Sequence, residues 1–107
     1  MPLQVSLVGG QSVLIHSNPE DAGGNPVIPP GNVQWAQDTS ANGTGAPQGP
    51  ENQDYLFTAP AGGPLGVTNL EMLFSPGGEA AITSTVQITV IAGTIAQFAP
   101  SADSPTP

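Results

Sequence analysis

His16 is the single imidazole of the chain, and eight carboxylates are its candidate partners: Glu20, Asp21, Asp38, Glu51, Asp54, Glu71, Glu79 and Asp103. An imidazole oriented by a carboxylate could serve as a general base. A triad, however, also needs a nucleophile placed by geometry, and no Cys and no serine elbow accompanies His16. His16 therefore reads as a strand residue facing solvent beside Ile15, and the chain is expected to carry no catalytic residue. Asn18, Glu20 and Asp21 share one loop with Asn25 and offer oxygen ligands of the kind Ca²⁺ takes. Two acids are few for a full shell and the spacing is not that of an EF-hand, so a solvated loop is expected there and no metal site is assigned. Glu51 and Asp54 could form a carboxylate pair, but glycosidase pairs are placed by the fold rather than by nearness in sequence. Asn42-Gly43-Thr44 has the N-glycosylation acceptor pattern, and a Gly-rich turn is the simpler reading. Trp35, Tyr55 and Phe57 could stack on a sugar; their positions in alternating runs place them in the core instead.

What the chain lacks excludes more than these residues suggest. It has no Lys and no Arg, a net charge of −8 and 7% charged residues, where soluble domains carry about 25%. Nucleic-acid binding needs cations to displace phosphate counterions. Docking on anionic lipid needs them too, as do a P-loop, a Schiff base and an arginine clamp. The absence of Cys excludes a disulfide framework, a zinc–thiolate site and thiol catalysis. No cofactor is expected. The start Met1-Pro2-Leu3-Gln4 is not of signal-peptide type, and no apolar run approaches the ~20 residues of a membrane-spanning helix. With Met1 as the natural start, the expectation is synthesis and release in a cytoplasm; an added Met1 would leave room for a removed signal sequence.

The elements that must position these side chains are short and β-rich. Val5 and Leu7 alternate with polar residues up to Gly9-Gly10, and Val13 and Ile15 alternate after it. Ser17 to Gly31 is punctuated by Asn18-Pro19, Gly23-Gly24, Asn25-Pro26 and Pro29-Pro30-Gly31 and reads as a long loop, with Val27-Ile28 as an edge piece. Val33 to Ala36 reads as a strand with Val33 and Trp35 on one face. Asp38 to Pro50 is a second Gly/Pro/Asn/Ser loop in which a short sheet-switching strand could lie. Asp54 to Ala59 is a strand that Pro60 ends. Gly66 to Ser75 has composition compatible with a helix, but its length and its Gly-Pro borders favour a strand carrying Thr68, Leu70, Met72 and Phe74 on one face. Ser75-Pro76-Gly77-Gly78 reads as a hairpin loop. Ile82 to Ala92 alternates most strictly of all, rich in Thr and β-branched residues. The predicted organisation is one domain over 1–93 followed by a Pro/Ser/Ala-rich C-terminal arm over 94–107.

Six or seven strands without a helix predict an all-β, antiparallel β-sandwich without a disulfide. Its inner faces would take Val5, Leu7, Val13, Ile15, Val33, Trp35, Tyr55, Phe57, Leu70, Met72, Phe74, Val86, Ile88 and Val90. Over residues 3 to 92 the order of features resembles bacterial and phage immunoglobulin-like domains. Trp35 stands on the third strand. A Gly-rich loop and Tyr55-Leu56-Phe57-Thr58-Ala59-Pro60-Ala61-Gly62 follow it, and Ser84-Thr85-Val86-Gln87-Ile88-Thr89-Val90 closes the series. The chain departs from antibody-type domains in lacking the inter-sheet cysteine pair and a corner tyrosine near Leu70.

The resemblance implies a non-enzymatic binding protein of the kind found on tailed-phage virions. Such decoration, cement or other accessory subunits dock on a capsid or tail lattice. The implied partners are virion proteins and further copies of the chain, and the implied location is the virion, after synthesis in the host cytoplasm. The alternative is an adhesion or spacer module of a bacterial surface protein that binds glycan or protein. Edge strand Leu3–Val8, the arm and the Pro-rich loops are the expected contact surfaces, through strand addition and apolar docking.

Overall fold

The computed structural model describes residues 3–75, 81–93, 95 and 97–105. It contains seven strands: β1 Leu3–Val8, β2 Ser12–His16, β3 Gln34–Gln37, β4 Thr44–Gln48, β5 Asp54–Thr58, β6 Gly66–Phe74 and β7 Ile82–Ile91. They form two sheets, one of order β1-β7-β6-β3 and one of order β2-β5-β4. The chain is an all-β sandwich.

Alternation decides which face of each strand is covered. On β7, Val86, Ile88 and Val90 are buried between half-exposed Thr85, Gln87 and Thr89. On β6, Thr68 and Leu70 are both 0% exposed. From the other sheet, Ile15, Tyr55 and Phe57 meet them, together with Ala59 and Leu7, and half-buried Val5, Val13, Trp35 and Met72 pack around this cluster. The Gly66 to Ser75 run is thus a strand rather than a helix. Its nine positions pair antiparallel with β7 from Gly66↔Val90 to Phe74↔Ile82. The hairpin expected around Pro76 to Gly78 lies outside the described residues.

The expected antiparallel pairing fails at one strand. β1 runs parallel to β7, with Leu3 opposite Val86 and Val8 opposite Ile91. The reason lies at Gly9-Gly10. There the chain leaves one sheet for the other, so β1 and β2 cannot form a hairpin, and β2 pairs with β5 instead. Gly10 takes a φ of +90° at this crossing, and its N–H donates to the Ala59 carbonyl at 2.7 Å.

A strand does lie within the Asp38 to Pro50 loop. β4, of sequence Thr-Gly-Ala-Pro-Gln, pairs antiparallel with β5 as an outer strand of the second sheet, where a Pro is tolerated. Gly45 within it and Gly43 just before it permit the approach. A Cβ on Gly45 would run into the Leu56 carbonyl and the Tyr55 ring, and one on Gly43 would meet the Phe57 ring at 2.6 Å. Gly45→Ala should therefore lower unfolding stability by about 1–3 kcal/mol through forced displacement of β4. A urea denaturation midpoint equal to the parent's would contradict this close packing.

Candidate functional site: a rigid loop pole with an apolar cleft

One end of the sandwich collects the β2–β3 connection, the β4–β5 connection and the ends of β6 and β7 that face each other at Phe74↔Ile82. The β4–β5 connection is a single 3-10 turn, Pro50–Asn52. Its main-chain carbonyls anchor the neighbouring segments. The Ser17 N–H donates to the Gln53 carbonyl at 2.9 Å, and the Val33 N–H to that of Glu51 at 2.9 Å. The Trp35 indole Nε1–H donates to that of Asn52 at 2.7 Å. Among the described residues, the non-glycine residues with positive φ are Asn18 (48°), Glu51 (53°) and Asn52 (50°), and all three lie at this pole. Backbone in the left-handed region costs free energy and persists only where its surroundings over-determine it. The three anchoring hydrogen bonds supply that determination.

The aromatic residues lie beneath the pole. Trp35 is half-buried and stacks on Tyr55, with ring centroids 5.3 Å apart and an interplanar angle of 30°. Tyr55 is 6% exposed and Phe57 0%. The Tyr55 hydroxyl donates to the Gln37 side-chain carbonyl, and burial pushes its pKa above the ordinary phenol value. A sugar-stacking platform is not available where Tyr55 and Phe57 face inward.

Between the β2–β3 loop and the Phe74/Ile82 end runs a cleft lined chiefly by Val27, Ile28, Pro30, Val33, Phe74 and Ile82. It continues past Ser17 toward Met72 and Ser84. Val27 is 41% exposed, Ile28 78% and Ile82 65%, so the cleft presents apolar surface to solvent. Ser17 Oγ is out of solvent contact and has no hydrogen-bond partner among the described residues. The sequence offered one signal of this cleft, the Val27-Ile28 pair in an otherwise polar loop. The cleft itself depends on Phe74 and Ile82, which only the β6–β7 pairing brings to that loop.

The remaining candidate residues are placed as follows. His16 Nδ1 is 2.8 Å from Asp54 Oδ1, a partnership created by the β2–β5 register that sets the two residues opposite each other. The His16 side chain is 55% exposed, on the outer face of its sheet. Asp54 is thus engaged with His16 rather than with Glu51, whose Oε1 accepts from Gln53 Nε2 at 3.5 Å. Asp21 Oδ1 accepts the backbone N–H groups of Gly23 and Asn25 at 2.9 and 3.0 Å. These bonds, that of Asn25 foremost, hold its pKa below the ordinary value. The Asp21 carboxylate therefore closes its own loop. Glu20 forms an isolated bridge with Pro26. Among the described residues no three His, Asp or Glu side chains gather as a metal set. Asn42 is 6% exposed, so its amide is turned from solvent.

At the opposite end of β3, Asp38 clamps β6. Its Oδ1 accepts the Asn69 backbone N–H and its Oδ2 the Asn69 side-chain amide, both at 2.9 Å. The Asn69 side chain foremost holds the Asp38 carboxyl below its ordinary pKa. With a folded-state pKa below the unfolded value, the stabilisation is complete above about pH 4 and is lost as pH falls through the lowered folded value. Asp38→Asn should therefore lower the melting temperature at neutral pH, and the gap from the parent should close on acidification below about pH 4. A gap that stays constant down to about pH 2 would contradict the assignment.

The chain matches no family model, and no curated protein matches it.

Proposed function

We propose that the protein is a non-enzymatic binding subunit: an immunoglobulin-like decoration, cement or other accessory protein that docks on the repeating protein lattice of a phage particle. The observation that carries this reading is the pole. It joins a backbone fixed by three main-chain anchors to an apolar cleft open to solvent. A prefixed surface loses little conformational freedom on docking, and apolar area supplies the affinity. The wholly acidic charge favours a partner patch carrying cations. Free outer strands add a second mode of contact. β1 and β3 border one sheet and β2 and β4 the other, so each can accept a strand from another protein. On this reading the protein performs no reaction.

The experiment is to purify particles from an infected host and measure the chain's copy number per capsid. A fixed, regular stoichiometry is expected; its absence from purified particles would end the proposal.

A second reading, a module of a bacterial surface protein binding glycan or protein, draws on a different observation. β1 and β7 run in the same direction, so the chain travels along β1 toward the pole at which it leaves β7. Modules strung end to end have this arrangement. A genomic sequence in which similar domains flank this one behind a signal peptide would favour it.

A further inference from the structure

We infer that the cleft at the loop pole receives the segment after Gly93 of a second copy of this chain, so that copies join head to tail. The segment carries two apolar side chains that its own sandwich leaves uncovered: Ile95 is 72% exposed and Phe98 81%. The cleft offers the matching deficit in Val27, Ile28 and Ile82. Charge agrees with this pairing. In a chain of net charge −8, most surfaces repel a second copy. The cleft lining holds one acid, Glu20, and the segment from Thr94 onward holds one, Asp103.

Length rules out the same chain's own cleft. Ile82 lines the cleft at the start of β7, and Ile91 ends that strand nine residues later, about 30 Å away. Phe98 is seven residues beyond Ile91 and so reaches at most ~25 Å from it, before any allowance for turning back. The molecule's longest dimension, 70 Å, is about twice the length of its longest strand, as a segment pointing away from the sandwich requires. Donor and acceptor thus sit at opposite poles. A contact between unlike surfaces of identical chains is heterologous and propagates unless geometry closes a ring. The inference does not rest on the particle reading, because it concerns the free protein.

The test is sedimentation of the full-length chain from micromolar to millimolar concentration, beside the variants Phe98→Ser and Ile28→Ser. Both positions are exposed, so circular dichroism should match the parent, and serine leaves the charge unchanged. The parent should show mass rising beyond dimer with concentration. Each variant alone should associate at least about tenfold more weakly. Phe98→Ser keeps an intact cleft and Ile28→Ser an intact donor segment, so an equimolar mixture should form a dimer of one copy of each and grow no further. A parent that stays monomeric throughout the range overturns the inference. So does a variant that assembles like the parent, which would point to pairing through sheet edges instead.

Discussion

Phe57→Ala should cost about 3–5 kcal/mol of unfolding stability, the range for removing a buried aromatic ring. The ring is wholly buried and belongs to the cluster that joins the two sheets. Collapse around the vacancy is restricted. Gly43, just before β4, lies against the ring and has no side chain to move inward, and Phe57 shares its face of β5 with buried Tyr55. Small domains have about 5–15 kcal/mol in total, and no disulfide limits the unfolded state here. Each kcal/mol corresponds to roughly 4–8 °C in a domain near this size, so the melting temperature should fall by about 12–40 °C. A fall of under about 5 °C would mean that the sheets are not held together through this ring.

Thr68→Val should act in the opposite direction. Thr68 is 0% exposed on the inward face of β6, opposite Ile88, and its Oγ1 has no hydrogen-bond partner among the described residues. A buried hydroxyl without a partner forfeits its hydration, at a cost of about 1–3 kcal/mol. Valine has nearly the same shape, keeps the β-branch favoured in strands and removes that cost. The variant should melt higher than the parent by several degrees. Thr68→Ser, which keeps the hydroxyl and deletes the methyl, should melt lower. Two variants of equal stability would show that the hydroxyl is satisfied in solution, for example by an internal water.

These two positions also mark how far the chain could be read without its structure. Thr68 and Phe57 stand in alternating runs, and a period of two carries its own evidence for a covered face. The same holds for Val86, Ile88 and Val90. β4 is different. Apart from its Thr, Thr-Gly-Ala-Pro-Gln has little strand propensity, and it is a strand because β5 offers it a hydrogen-bonding edge and because glycine alone can lie over the Tyr55 and Phe57 rings. Its location within the Gly-rich loop was foreseeable from the need to change sheets, but its register was not. The parallel pairing of β1 was hidden for a related reason: alternation shows that a strand is covered but not which strand lies beside it. The His16–Asp54 contact needed the register of β2 against β5. The cleft needed the meeting of Ile28, Phe74 and Ile82, which no local pattern encodes.

The pairing of the first strand with the last has a consequence for how the molecule is born. Leu3 finds its neighbour at Val86, so every strand between them must be made before β1 can dock. Closing so long a loop is entropically slow, and contacts distant in sequence retard folding. Until β7 has left the ribosome, β1 waits as an unpaired ribbon open to capture by chaperones or by a sister chain. Synthesis must therefore pass β7 before the sandwich can close.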